Sequence, residues 1–65
     1  MSSPQQARAI ETRDRLLRGA AETFSAKGYE GSTIDDILAA SGVSKGSMYF
    51  HFESKAALGR AIVVL

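Results

Sequence analysis

Residues 41–52 read SGVSKGSMYFHF, and this stretch decides how the rest of the chain is arranged. Gly42 follows a short apolar-periodic run, where glycine supplies the left-handed backbone conformation that ends a helix. Ser44 can then begin a second helix, because its hydroxyl is suited to accept a backbone N–H of the first turn. Val43 lies between them and is placed to contact the helix it leaves. The stretch therefore predicts two helices joined by a tight turn, with the second helix over about residues 44–51.

Two helices are predicted before this turn. The first has an apolar stripe in which some members recur every seven residues and others widen the stripe: Ile10, Leu16, Leu17, Ala20, Ala21 and Phe24. Gly28 is expected to end this helix. Thr33 is the predicted N-cap of the next helix because Asp36 follows three residues later, and Ser32 with Asp35 offers the same capping chemistry.

The two ends of the chain need separate predictions. Residues 1–9 form either a flexible arm or an extension of the first helix, for which Ser3 would be the cap and the following proline the first helical position. Ser54 is expected to cap a fourth helix. Because the chain stops in an apolar run without a cap, we interpret residues 54–65 as the truncated start of that helix, leading to a domain that is absent here.

These elements predict an all-α fold. The architecture is a homeodomain-like three-helix bundle that contains a helix-turn-helix, followed by the start of a fourth helix. The motif covers residues 33–52 within a domain of residues 10–53. Units of this kind often present their second helix to the major groove of DNA.

Composition excludes several functional classes. The 65 residues suffice for one small domain, and they include no cysteine and one histidine, so we expect no disulfide, metal or cofactor. No apolar run approaches the ~20 residues that span a bilayer, and no N-terminal signal core is present, so a soluble cytoplasmic protein is expected. The net charge is only +1, but residues 37–52 contain no Asp or Glu. A surface locally free of acids can approach phosphate.

Two lysines break a local rule in the same way. Lys45 and Lys55 each follow a predicted helix cap, where a cation opposes the helix dipole. A bound phosphate would reverse this effect, because amide N–H groups, dipole and ammonium would converge on it. The alternative is two solvated lysines on long stems that bend away. Tyr49 and His51 would add hydrogen-bond donors to the DNA backbone, and Lys45 can instead reach a guanine edge.

Two residues of the second motif helix are expected to face outward, because they lie opposite Met48 on the helical wheel. Gly46 lacks a side chain and would let the helix approach another surface closely. An outward Phe50 suits contact with a DNA backbone or a thymine methyl group, although single exposed apolar residues are common. Thr33, besides capping its helix, can bind a phosphate through its hydroxyl and a backbone N–H.

The same residues carry a resemblance to a known family. Their order over nearly the whole chain from Ile10 resembles the N-terminal DNA-binding domain of TetR-family transcriptional regulators: Thr12-Arg13, Ala20, Phe24, Gly28-Tyr29, Thr33, Ile37, Ser41-Gly42-Val43, Ser44-Lys45-Gly46, Tyr49-Phe50-His51-Phe52, Ser54-Lys55 and Leu58. The combined pattern is highly specific, whereas any one piece alone would be weak. The sequence of residues 49–52 is similar to that of the γ-butyrolactone-receptor branch.

The resemblance implies sequence-specific binding of double-stranded DNA by a transcriptional regulator, as a ligand-responsive repressor. It implies that the following residues contact DNA: Thr33, Ser44, Lys45, Gly46, Ser47, Tyr49, His51 and Lys55. It also implies a palindromic operator, a homodimer and a small-molecule effector, the last two through a larger helical domain beyond these residues. Many members carry a second tyrosine where this chain has Phe50, which removes one hydroxyl contact.

Three other functional classes are alternatives to DNA binding by a TetR-type domain. A small helical protein-protein interaction module would use the apolar end of the fourth helix, and a helix-turn-helix of another family is a further alternative. An enzyme is disfavoured because the Gly-Lys-Ser/Thr order of a phosphate loop is absent and the histidine lacks a nucleophile and acid placed beside it. Salt-dependent binding to duplex DNA separates an interaction module or an enzyme from a DNA-binding domain.

Overall fold

The computed structural model describes residues 4–62, with side chains from Gln6 onward. Within this range the chain forms α1 (Pro4–Gly31), α2 (Ile34–Ser41), α3 (Lys45–His51) and α4 (Lys55–Ile62). The predicted all-α fold, with a helix-turn-helix and the start of a fourth helix, is confirmed. The predictions for a cap at Ser3 and for the apolar end of the chain at residues 63–65 lie outside the described residues.

The first helix is longer than the periodicity predicted. It already includes Pro4, and Gly28 interrupts it instead of ending it, with φ of 78° and ψ of 160°. Such a positive φ is readily adopted only by glycine. The chain then closes one more turn, because the Ser32 N–H donates to the Tyr29 carbonyl at 3.2 Å and the Ser32 hydroxyl donates to the Gly28 carbonyl at 2.6 Å.

The core draws on all four helices and on the turn before α3. Its buried apolar members are Leu16, Ala20, Ile37, Val43, Met48, Phe52 and Leu58. Full burial of one such large side chain contributes roughly 1.5–3 kcal/mol. Because α2, α3 and α4 each supply a single fully buried side chain from within the helix, each depends on one central residue for its position against α1.

The buried face of α1 differs from the predicted apolar stripe. Leu16 and Ala20 are buried as expected, but Ile10 is 63% exposed and Ala21 is exposed, so these two core assignments are wrong. Thr23 takes a buried place, and its hydroxyl donates to the Gly19 carbonyl at 2.8 Å. A seven-residue repeat drifts around a helix of 3.6 residues per turn, so the buried line moves away from a strict heptad.

Helices α1 and α2 approach each other closely at Gly19. A Cβ atom added to Gly19 would lie 2.8 Å from the Ser41 Cβ, closer than real Cβ atoms come to other atoms. Glycine is therefore required for the crossing that places the end of α2, and the turn after it, against α1. An isolated glycine within a helical sequence is the signal that points to such a contact.

The turn between α2 and α3 has the predicted form. Gly42 adopts a left-handed conformation with φ of 70°, and its N–H donates to the Leu38 carbonyl at 2.9 Å. Val43 is buried directly after it. Across residues 4–62, no helix has both the length and the apolar character needed to cross a membrane.

Candidate nucleic-acid interface

One face of helix α3 packs against the core, and the opposite face is exposed to solvent. Met48 is 0% exposed, and Phe52, just after the helix, is also buried. On the opposite face Phe50 is 80% exposed, and a Cβ added to Gly46 would meet nothing within 4 Å. The predicted inward and outward faces of α3 are therefore confirmed.

Two serines organise the beginning of α3. The Ser44 hydroxyl accepts the Ser47 N–H at 3.2 Å, which confirms Ser44 as the N-cap, and it donates to the Ser47 hydroxyl at 3.1 Å. The Ser47 hydroxyl keeps its own proton free to donate. Lys45 lies between them on the exposed surface, and among the described residues its ammonium has no hydrogen bond or ion pair.

Aromatic side chains occupy the end of α3. Tyr49 is 45% exposed, and His51 is half-buried with its ring 5.1 Å from that of Phe50 in an edge-to-face arrangement. The face of α3 thus changes from serine hydroxyls, lysine and bare backbone at its beginning to aromatic rings at its end. Such a face can meet both base edges and the sugar-phosphate backbone of a duplex.

Helix α2 begins with a complete capping box. The Thr33 hydroxyl accepts the Asp36 N–H at 3.1 Å, and the Asp36 carboxylate accepts the Thr33 N–H at 3.1 Å. Thr33 is therefore the N-cap, and the alternative with Ser32 and Asp35 is wrong, because the Ser32 hydroxyl is buried and donates to Gly28. The Thr33 side chain is exposed, so an incoming phosphate can reach its hydroxyl.

A lysine from α1 supports this cap. Lys27 forms an ion pair of 3.0 Å with Asp36. The Lys27 ammonium, followed by the hydrogen bonds from Thr33, holds the pKa of the Asp36 carboxyl below its usual value. The carboxylate therefore stays ionised and continues to accept the Thr33 N–H.

Lys55 has surroundings unlike those of Lys45. Its ammonium donates to the Tyr29 carbonyl at 2.8 Å and to the Ser32 carbonyl at 3.0 Å, and it lies 4.3 Å from the centroid of the Tyr29 ring. The predicted alternatives for Lys55, a bound phosphate or a solvated ammonium, did not include these carbonyl oxygens of Tyr29 and Ser32. A DNA contact by Lys55 stays a prediction, with one of its three N–H groups left for it.

Two other side chains were not identified as neighbours of this face. The Arg13 guanidinium lies 5.2 Å from the centroid of the Phe52 ring, so α1 reaches the end of α3 through a cation–π contact. The Tyr29 ring packs against Phe24 at 5.3 Å between centroids. In the part of the chain that the structure describes, no group of three or more His, Asp or Glu side chains is placed to hold a metal ion.

Comparisons with known proteins agree with this arrangement. The sequence model of a family described as bacterial regulatory proteins, tetR family, matches residues 16–62. The chain is similar to the A-factor receptor protein of Streptomyces griseus, with 44% identity over 59 residues that cover 91% of this chain and 21% of the relative. No solved structure matches.

A second relative is a regulator by its name. The biofilm operon icaADBC HTH-type negative transcriptional regulator IcaR of Staphylococcus aureus (strain Newman) is 44% identical over 43 residues, covering 66% of this chain and 23% of the relative. The chain therefore spans less than a quarter of the length of either relative, at 21% and 23%.

Proposed function

Because the chain belongs to the TetR family of bacterial regulatory proteins, its helix-turn-helix is the DNA-binding part of a transcription regulator, and we propose that α3 enters the major groove. The observation that supports this proposal best is the outward face of α3. It has an exposed lysine, a glycine that leaves the backbone bare and no acidic residue, while Met48 holds the opposite face in the core. This combination allows close approach to a polyanion.

The proposed contacts divide by position along the helix. Lys45, Gly46 and Ser47 at the beginning of α3 would meet base edges, since the first residues of a recognition helix reach deepest into the groove. The exposure of Lys45 and the free Ser47 proton support this assignment. An ammonium group prefers guanine, through its O6 and N7 acceptors.

The remaining contacts would be made to phosphates. Ser44, Tyr49 and His51 flank the base-contacting residues, and Thr33 lies exposed at the beginning of α2. Contacts of this kind orient the protein on the duplex without reading its sequence. Phe50, where many family members have a tyrosine, would offer apolar contact alone.

The whole regulator would be larger than this domain. The small share of the relatives that the chain covers, 21% and 23%, supports a further region with dimerising and effector-binding roles. A homodimer would place two copies of α3 on a palindromic operator, and linking two half-sites raises affinity by about 10²–10⁴ without new contacts. IcaR is a negative transcriptional regulator by its name, which supports repression by this protein as well. A cytoplasmic location and the narrower resemblance to γ-butyrolactone receptors stay predictions.

Selection of random duplexes tests this function directly. We expect the protein to enrich a short sequence motif, repeated with inverted orientation when the protein is dimeric. The logarithm of its association constant for the enriched duplex should fall linearly with the logarithm of salt concentration. Absence of any enriched motif, together with binding that does not respond to salt, would overturn the proposal and favour a protein-interaction module.

A further inference from the structure

We propose that Lys55 is a positioning residue that fastens the first turn of α4 to the junction between α1 and α2, and thereby holds Thr33 where a DNA phosphate can meet it. The part that concerns DNA rests on the proposed function. The fastening itself is a property of the free protein and is tested without DNA.

The contacts of the Lys55 ammonium join distant parts of the chain. Its hydrogen bonds to the carbonyls of Tyr29 and Ser32 span 26 and 23 residues of sequence. The side-chain hydrogen bonds of the helix caps described above span no more than four residues. Lys55 is half-buried, whereas Lys45 is exposed. Lys55 therefore makes a tertiary contact, while the caps stabilise single helices.

Helix electrostatics explains why the ammonium lies there. A cation at the beginning of α4 is unfavourable, but the carbonyl end of a helix carries partial negative charge and attracts a cation. The interruption at Gly28 and the turn after it place the carbonyl of Tyr29 in the last turn of α1 and that of Ser32 just after the helix. The long lysine stem moves the charge from the unfavourable end of α4 to the favourable end of α1.

Tyr29 gives the junction a second contact with α4. The Lys55 ammonium lies 4.3 Å from the centroid of its ring, within the range of a cation–π interaction. One turn further along α4, a Cβ added to Gly59 would lie 3.1 Å from Cε1 of the same ring. The ring also packs on Phe24. The end of α1 and the first half of α4 are thus joined through backbone carbonyls and through one aromatic side chain.

The junction leads directly to Thr33. Ser32, whose carbonyl accepts a Lys55 N–H, is followed by Thr33, whose capping box with Asp36 is held in turn by Lys27. Thr33 therefore lies between two lysine contacts, one on each side in sequence. Loss of the Lys55 ammonium frees the Ser32 side of Thr33 while leaving the Lys27 side in place.

Amide hydrogen exchange in the free protein tests the fastening. Lys55→Met removes the ammonium and keeps an unbranched apolar side chain. We expect exchange of the Asp36 N–H, which is bonded to Thr33, to become about tenfold faster, because only part of the free energy of the two lost Lys55 hydrogen bonds is transmitted to this amide. The Met48 N–H, bonded to Ser44, should be unchanged, which shows that the fold survives. Lys45→Met is the matched control and should alter neither amide.

Two results of this experiment decide against the fastening. Unchanged Asp36 exchange in Lys55→Met would show that the ammonium does not hold the junction. Should Lys55→Met fail to fold, Lys55→Arg retains the charge and the donors, and we expect it to keep Asp36 exchange within about threefold of the parent chain. Faster exchange at Asp36 in a folded Lys55→Arg variant would likewise overturn the proposal.

Binding to the selected duplex separates positioning from direct phosphate contact. We expect Lys55→Met to weaken binding by about tenfold with an unchanged salt slope, whereas loss of a lysine that meets a phosphate lowers the slope by about one. Thr33→Val should weaken binding less in the Lys55→Met chain than in the parent chain, since the two residues act together. A slope lowered by about one in Lys55→Met, with the full Thr33→Val effect retained, would make Lys55 a phosphate ligand instead. Failure of the parent chain to bind any duplex would overturn the proposed function alone, because hydrogen exchange still decides the fastening.

Discussion

The beginnings of α3 and α4 have the same two residues and different surroundings. Ser44-Lys45 and Ser54-Lys55 each supply a serine cap followed by a lysine, and both serine hydroxyls accept the expected backbone N–H, at 3.2 Å and 3.1 Å. Lys45 remains exposed, while the Lys55 ammonium donates to carbonyl oxygens at the end of α1. The comparison teaches that a local sequence rule locates a helix beginning but not the partner of a long charged side chain.

The residues just before the two serines offer the largest contrast. Val43 precedes Ser44 and is buried, whereas Glu53 precedes Ser54 and is exposed. We expect Val43→Glu to unfold the domain, because an unpaired buried charge costs more than the few kcal/mol that a core of this size supplies. Glu53→Val should change the free energy of unfolding by about 0.5 kcal/mol or less. Circular dichroism during thermal unfolding measures both, and a folded Val43→Glu variant would place Val43 outside the core.

The second contrast between the two lysines is their expected effect on which DNA sequence the protein prefers. We expect Lys45→Ala to lose roughly 1–3 kcal/mol of discrimination at one base pair of the selected duplex, because a contact to a guanine edge disappears. Lys55→Ala should leave the preferred sequence unchanged. Competition binding with duplexes that differ at single base pairs measures this effect. Equal losses on every duplex after Lys45→Ala would make Lys45 a contact to the DNA backbone.

The two caps should contribute alike to stability and unlike to binding. Ser44→Ala and Ser54→Ala each remove one capping hydrogen bond, at 3.2 Å and 3.1 Å, so each should lower the free energy of unfolding by about 1 kcal/mol. Only Ser44→Ala is expected to weaken DNA binding beyond its effect on stability. Urea unfolding and duplex titration of the same two variants make the comparison. Clearly unequal stability losses would show that one helix beginning is held by contacts other than its cap.

The smallest expected effect is the pH dependence of stability at the beginning of α2. The first turn of this helix contains acidic residues, whereas α3 and α4 each begin with a lysine. The pKa of Asp36 is lowered in the folded state from its usual value of 3.8, mainly by Lys27. Its contribution to stability is therefore fully present above pH 3.8 and is lost as the pH falls through the lower folded-state pKa. Lys27→Met should reduce this acid-dependent loss, as measured by urea unfolding at a series of acidic pH values. An unchanged pH profile in Lys27→Met would mean that the ion pair does not stabilise the fold.

In helix α1 the apolar periodicity of the sequence predicted some buried residues correctly and others wrongly. Leu16 and Ala20 were predicted in the core and lie there, whereas Ile10 was also predicted and is exposed. An apolar repeat in the sequence indicates which face of a helix is apolar. The positions of the neighbouring helices decide which residues of that face are buried. The close crossing at Gly19 shows the same dependence, because a glycine without a neighbour would only weaken the helix.

Some features of the candidate interface could likewise be predicted from the sequence, and others could not. Its composition on α3, its caps and its outward face followed from residues a few positions apart, since a cap or a helical face involves only neighbouring turns. The partner of Lys55 did not follow, because the acceptors lie 26 and 23 residues earlier in the chain. The serine cap that precedes both lysines is the same, so the capping pattern does not distinguish Lys55 from Lys45.

By itself the sequence determined the helix beginnings at Ser44 and Ser54, the left-handed stop at Gly42 and the membership of a family, because these depend on short-range chemistry and on the order of residues. Only the tertiary structure decided which of two equivalent lysines stays free for a ligand and which one joins two helices. The physical reason is that a long charged side chain takes its partner from whatever surface lies within its reach, and folding brings that surface there.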